Sequence, residues 1–275
     1  RITNRNIIAY YSGWLQKGSL QTRGVHFGLD DSDKNGFMTT IHELDRNLGL
    51  DLILHTPGGI TSATESLVDY LRQMFGTNIR AIVPQLSMSA GTMIALSCKE
   101  VVMGKHSSLG PIDPQIGDMA AHGILEEFDR ASKEIKHNGN LGALWHPILL
   151  KYGPTLIGDC QKAIKWSQEM TREWLMTGMF SDDQNTARSK ADRVLDLLGS
   201  HAVTLAHDRH ISMKRAADAG IKVKALEDDK DLQEAVLSVH HLFIQTLSET
   251  AAYKIIENQN GIAYIQQVQQ TIAVR

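Results

Sequence analysis

Cysteine is scarce in this 275-residue sequence. The two present, Cys98 and Cys160, cannot build a disulfide framework and do not form a C-x-x-C pair, so a reducing compartment and a cytoplasmic location are expected. Proline is scarce as well, with 6 residues beside 22 glycines, which excludes collagen-like and low-complexity architectures. Neither charge sign dominates: the net charge is -3, which gives no general attraction to phosphate backbones or anionic lipid. No basic patch is visible, so nucleic acid is not an expected partner. No apolar run approaches the roughly 18 residues of a membrane-spanning helix. The opening RITNRNIIAYYSGW lacks the apolar core of a signal peptide, and membrane association would require a segment ahead of Arg1, for which the absence of an initial Met leaves room. What remains is an ordinary globular composition, 42% hydrophobic and 21% charged, in a chain long enough to bury a core without disulfides or structural metal.

Two periodicities alternate through the first hundred residues. Asn6 to Tyr11 reads as a buried strand closed by Ser12-Gly13. Phe37, Ile41, Leu44 and Leu48 recur at helical spacing, with Gly49 past the end as a cap. Leu50 to His55 is strand-like, Thr56-Pro57-Gly58-Gly59 breaks it, and Leu67, Leu71 and Met74 mark a second helix. A strand over Ile79 to Pro84, a small-residue helix from about Ala90 to Ser97 and a strand over Glu100 to Met103 complete the pattern. Strands alternating with crossover helices predict an α/β fold with a mainly parallel sheet, its functional loops at the carboxyl ends of the strands. The later half reads as more helical. Pro154 to about Met176 forms one long helix stopped by Gly178, and Leu232, Val236, Val239, Phe243 and Leu247 form another stripe. Ile211 to Val223 reads as a short helix ended by Gly220 and then a strand, and Asn260-Gly261 as a hairpin turn. The expected organisation is one domain over 1-275, with its core at about 6-225 and the C-terminal helix and hairpin at 226-275 as additions.

Two loops carry chemistry. The glycines of Thr56-Pro57-Gly58-Gly59 let a ligand approach backbone amides closely. In Ser87-Met88-Ser89-Ala90-Gly91-Thr92, Ser89 stands at the positive end of a helix, with the Ala90 amide directed where an oxyanion would form. A plain helix cap is the alternative for Ser89. The hydrolase pattern G-x-S-x-G is only half met, because Ser87 occupies its first position.

Together, a Pro-Gly-Gly turn and a Ser-Ala-Gly turn about thirty residues later resemble the Clp-protease and crotonase superfamily, in particular signal peptide peptidase A and its relatives. Ser107-Ser108-Leu109-Gly110-Pro111-Ile112 resembles the segment that follows the nucleophile helix in those enzymes. With YYSGWL at Tyr10 to Leu15, DDSDKNGF at Asp30 to Phe37 and HTPGG at His55 to Gly59, the chain is identified as a member of the serine dehydrogenase proteinase family. The resemblance implies a Clp/crotonase-like fold and an ATP-independent serine endopeptidase acting on polypeptides as a homo-oligomer, with no metal and no cofactor. It further implies Ser89 as nucleophile, an oxyanion hole from Gly58 or Gly59 with Ala90, and a lysine or histidine base. The segment that holds the base histidine of Clp-like triads here carries Ile112 and Asp113 in GPIDPQIG, so a Clp-type triad is broken. By analogy with the lysine of signal peptide peptidases, Lys162 is preferred, with Lys165 and Lys151 as alternatives.

A lysine base carries a physical demand. With an ordinary pKa of about 10.4 it is protonated at neutral pH, so the site must desolvate it and lower that value by roughly two to three units. Ile157, Ala163 and Trp166 lie near Lys162 and Lys165 and could help to bury them. Trp166, Met170 and Trp174, also at helical spacing, are expected to pack in the core or against another subunit. Asp31-x-Asp33-x-Asn35-Gly36 begins like a calcium loop but has His42 at its twelfth position, which favours an Asx-rich helix start. His201, His207 and His210 lack a zinc motif. Two rival functions remain: a crotonase-type acyl-CoA enzyme using the same amide pair, and a catalytically silent assembly protein.

Overall fold

The computed structural model describes residues 2–117, 119–199 and 209–268. Its main sheet has seven strands in the order β10-β5-β3-β2-β1-β11-β12. They are β1 (Asn6–Ser12), β2 (Leu50–His55), β3 (Ile79–Val83), β5 (Glu100–Met103), β10 (Val223–Ala225), β11 (Ala252–Asn258) and β12 (Ala263–Gln267). β10, β5, β3, β2 and β1 run parallel, while β11 lies antiparallel to β1 and β12 antiparallel to β11. β4 (Leu86–Ser87), β6 (Ser108–Leu109) and β9 (Ile211–Ser212) form a small second sheet, and β7 (Gln115–Ile116) pairs with β8 (Met119–Ala120).

Strand alternation sends neighbouring side chains to opposite faces. Ile8, Tyr10, Leu52, Leu54, Ala81 and Val83 enter the larger core. That core also takes in residues of α2 (Asp33–Ile41), α3 (Thr61–Phe75), α4 (Ala90–Ser97), α7 (Leu156–Thr177) and α8 (Gln184–Gly199). Ala9, Tyr11, Ile53, Ile82 and Val102 face the other way, toward one long helix, α10 (Lys230–Glu249). α10 does not cover the whole of that face: an apolar cavity of about 720 Å³ lies between it and the sheet, lined by Ala9, Ile53, Ile82, Val239, Phe243 and Ile255 among others. No helix among the described residues is long and apolar enough to cross a membrane.

Two expectations change. The helical spacing of Phe37 to Leu48 is interrupted: α2 ends at Ile41, Glu43 turns left-handed at φ 64°, and only a short 3-10 turn over Arg46–Leu48 precedes Gly49. The terminal hairpin forms around Gly261 as expected, with φ 77°, but it is no addition to the core. Its first strand buries Ile255 and Ile256 against β1, because both sheet faces there need apolar side chains. The start of the calcium-like motif is a helix-start turn: Asp30 Oδ1 accepts from the Ser32 amide at 2.8 Å, and the Asp33 carboxylate is fully buried. His201 and His207 lie outside the described residues.

Candidate active site

The serine loop and the glycine loop meet at the carboxyl ends of β3 and β2. Thr56 bridges to Ser87: its amide donates to the Leu86 carbonyl at 3.1 Å and its carbonyl accepts from the Met88 amide at 3.0 Å. Gly91 is required at this crossing, since a Cβ there would lie 2.4 Å from Thr56 Cγ2 and 2.6 Å from Ser87 Oγ. Thr92, inside α4, donates through Oγ1 to the Ser87 carbonyl at 2.7 Å and accepts from the Gly110 amide at 2.9 Å. Ser107 ties the same strip to β3, donating to the Val83 carbonyl at 2.6 Å. These bonds hold the Ser-Ala-Gly-Thr and Ser-Ser-Leu-Gly segments against one another.

Ser89 occupies the N-cap position of α4, yet its hydroxyl makes no capping hydrogen bond. Its backbone has φ 47° and ψ -115°. Among the described residues only Ser89 and Glu43 combine a side chain with positive φ. Such a conformation costs about 1–3 kcal/mol and persists where the surroundings enforce it. Ser89 thus stands at the helix cap in a strained conformation without capping through its hydroxyl.

The glycine loop is held from the other side by Gly28 and Leu29. The Leu29 amide donates to the Gly58 carbonyl at 2.7 Å, and the Ile60 amide donates to the Leu29 carbonyl at 2.9 Å. Carbonyl and amide of one trans peptide point in opposite directions, so the Leu29 bond turns the Gly59 N–H away from Leu29. The Gly58 N–H is occupied by Thr56 Oγ1 at 3.2 Å. Among the described residues neither the Gly59 nor the Ala90 amide donates to a protein acceptor. Gly58, with φ 114°, lies against Ser89, and Gly59, with φ 156°, lies against Leu29.

The three lysines are not buried. Lys162 and Lys165 lie on α7 with side chains 83% and 74% exposed, 3.8 Å from Asp159 and Glu169 respectively. Lys151 is exposed in the turn after α6 (Gly142–Leu149). Ile157 and Trp166 are themselves 41% and 40% exposed, so the expected apolar shelter is absent within one chain, whereas Met170 and Trp174 do enter the core. Asp113 is buried and accepts from Gln115 Nε2 at 3.2 Å.

Two features escaped sequence reasoning. Lys254, in β11, is 1% exposed and donates to the Gly28 carbonyl at 2.8 Å and to Asp33 Oδ2 at 2.9 Å. A lysine at an inward-facing strand position, inside YKII, was the available signal. His55, the last residue of β2, is fully buried among the rings of Tyr11, Trp14 and His240, and neither ring nitrogen has a hydrogen-bond partner. Burial, reinforced by His240, pushes its pKa down to about 3. The described residues hold no group of three or more His, Cys, Asp or Glu side chains arranged to bind a metal.

Comparison with known proteins places the chain among its relatives. The uncharacterized protein MJ1495 of Methanocaldococcus jannaschii is 29% identical over 195 residues, covering 71% of this chain and 58% of its own length. This chain thus spans little more than half of that relative. The uncharacterized protein MJ0137 of the same organism is 24% identical over 237 residues, covering 85% of this chain and 72% of its own. The family model that describes ClpP-like SDH-type serine proteinases matches residues 25–260, from before the glycine loop to the terminal hairpin, and the chain belongs to that family.

Proposed function

We propose that the protein is an ATP-independent serine endopeptidase that cleaves polypeptides and works as a homo-oligomer. The observation that carries this reading is the strained Ser89, whose hydroxyl caps nothing and whose side chain packs against Gly58, with the nearby Gly59 peptide and Ala90 amide making no hydrogen bond to a protein acceptor among the described residues. In the reaction, Ser89 Oγ attacks the scissile carbonyl carbon while a neutral lysine takes the hydroxyl proton. The carbonyl oxygen becomes an oxyanion held by the Gly59 and Ala90 N–H groups. Collapse breaks the C–N bond, the lysine returns its proton to the leaving amine, and water releases the acyl group from Ser89.

Lys162 is the proposed base, with Lys165 and Lys151 as alternatives. Since all three are exposed in the single chain, the desolvation that a base requires is assigned to a neighbouring subunit packed on the part of α7 that carries Lys162 and the exposed Trp166. Gly58 serves by lacking a side chain, and Gly59 supplies the amide.

Casein cleavage by the wild type beside Ser89→Ala, Lys162→Ala, Lys165→Ala and Lys151→Ala, each of unchanged oligomer size, tests the proposal. Loss of activity in Ser89→Ala and in one lysine variant is expected. Equal cleavage by wild type and Ser89→Ala removes the nucleophile assignment. No cleavage by any form, together with protection of Ser89 by acyl-CoA thioesters, replaces the peptidase with a crotonase-type enzyme.

A further inference from the structure

The glycine loop does not hold its orientation alone: besides Thr56 Oγ1, which donates to the Gly58 carbonyl at 3.3 Å, it leans on a neighbouring strip. Its Gly58–Gly59 peptide is aligned by Leu29, and the Gly28–Leu29 strip is in turn fixed from behind. Ser12 Oγ donates to the Phe27 carbonyl at 2.7 Å, and Lys254 Nζ donates to the Gly28 carbonyl at 2.8 Å. Lys254 is anchored by Asp33 Oδ2 at 2.9 Å, with Asp30 Oδ2 at 3.4 Å. Asp33 Oδ2 also accepts from the Asp30 amide at 2.9 Å and from Tyr10 Oη at 3.2 Å. Contact between strip and loop is tight: a Cβ on Gly28 would stand 3.1 Å from Gly59 Cα and 3.2 Å from the Gly58 oxygen, and one on Gly59 would stand 2.3 Å from Leu29 N. Any displacement of Gly28 therefore reaches the Gly58–Gly59 peptide directly.

We propose that Lys254 is a positioning residue for the oxyanion hole, acting through the Gly28 carbonyl and the Leu29 amide to keep the Gly59 N–H turned toward the serine loop. The inference rests on the peptidase reading above. A buried lysine ammonium has three donors to satisfy, and a main-chain carbonyl can take one of them. Here that bond falls on the residue that abuts the glycine loop. Lys254 touches no reacting atom in this scheme. Its effect belongs to the transition state, because only the developing oxyanion depends on the direction of the Gly59 amide.

The test uses the full chain, a fluorogenic peptide substrate and a peptidyl trifluoromethyl ketone, whose serine adduct carries an oxyanion. Wild type and Ser89→Ala come first: activity independent of Ser89 defeats the peptidase reading itself, separately from any role of Lys254. Given Ser89-dependent cleavage, Lys254→Met is compared with Lys254→Met/Asp33→Asn, which removes both buried charges and so spares the fold an uncompensated carboxylate. In the folded variants kcat is expected to fall about tenfold to a hundredfold, part of the loss seen when an oxyanion donor is deleted. Affinity for the ketone should fall in step while KM stays within about twofold, since ground-state binding does not use the hole. Gly28→Ala, which leaves the charges intact and presses on the same peptide, should give the same split. Wild-type kcat and ketone affinity in a folded Lys254 variant, or a loss confined to KM or to melting temperature, overturns the proposal. If both Lys254 variants fail to fold, unchanged kcat in Gly28→Ala overturns it.

Discussion

Gly58 and Ser89 are packed so closely that a Cβ on Gly58 would lie 2.6 Å from the Cβ of Ser89 and 3.2 Å from the Ala90 nitrogen. Gly58→Ala is therefore expected to displace the serine, the Ala90 amide or both, and to place a side chain at φ 114°. Activity should fall at least about a hundredfold, comparable with loss of an oxyanion donor, while stability falls by about 1–3 kcal/mol for the strained backbone. Peptide hydrolysis together with thermal melting checks both. An active Gly58→Ala protein would contradict the site as drawn.

Exposure of Lys162 and Lys165 leads to a second expectation. If a neighbouring subunit desolvates the base, specific activity should fall on dilution through the oligomer dissociation range, and Trp166→Asp should lower activity and assembly together. Trp166 is 40% exposed and its Nε1 donates to Glu65 at 3.2 Å. Sedimentation velocity paired with peptide cleavage at matched concentrations measures the link. Full activity in a dissociated Trp166→Asp monomer would remove it.

The His55–His240 pair predicts an acid limb of stability. Burial is the leading cause of both depressed values, about 3 for His55 and about 4 for His240. In the unfolded chain both titrate near the ordinary value of about 6.5. Above that pH both states hold neutral rings and their contribution is fully present. As pH falls from about 6.5 toward 4 the unfolded state binds the extra protons, and stability drops by up to about 1.4 kcal/mol per pH unit for each ring. Chemical denaturation between pH 4.5 and 7.5 should show this slope, and His55→Phe should remove about half of it. An unchanged slope in that variant would assign the limb to other groups.

At the opposite end of β2, Asp51 is 1% exposed and accepts from Arg5 Nε at 2.7 Å and from Arg80 Nη2 at 2.7 Å. Asp51→Asn should cost about 3 kcal/mol, as when one partner of a buried ion pair is removed. Because Thr56 and the glycine loop lie beyond the other end of the strand, kcat of the folded fraction should not change. Guanidinium unfolding alongside steady-state kinetics separates the two effects.

Much of this arrangement was legible from residue order. The strand at Leu50 to His55, the break at Pro57-Gly58-Gly59 and the small-residue helix after Ser89 all follow local rules of periodicity and turn chemistry, and the structure contains them. Glu43 was not legible, because the stripe of Phe37, Ile41, Leu44 and Leu48 continues through a residue whose left-handed backbone ends the helix. The choice between Gly58 and Gly59 as amide donor was equally hidden. It depends on Leu29 and Thr56, one of them distant in sequence, and periodicity carries no information about which way a peptide plane turns. Lys254 belongs to the same class, since its partners Gly28 and Asp33 lie more than two hundred positions away.

That separation gives the hairpin a temporal meaning. β1 leaves the ribosome well before its outer neighbour β11, with Ile8 paired to Asn258, and pairings of such range form slowly. A nascent chain synthesised past Ser89 has the serine loop, but it has no Lys254 behind Gly28 until β11 follows. Ribosome-arrested chains stopped before Ala252 should therefore take a fluorophosphonate label at Ser89 more slowly than chains that include β11. Under the proposed peptidase reading, sequence order would act as a safety catch, keeping a half-made chain from cutting while it is still being built.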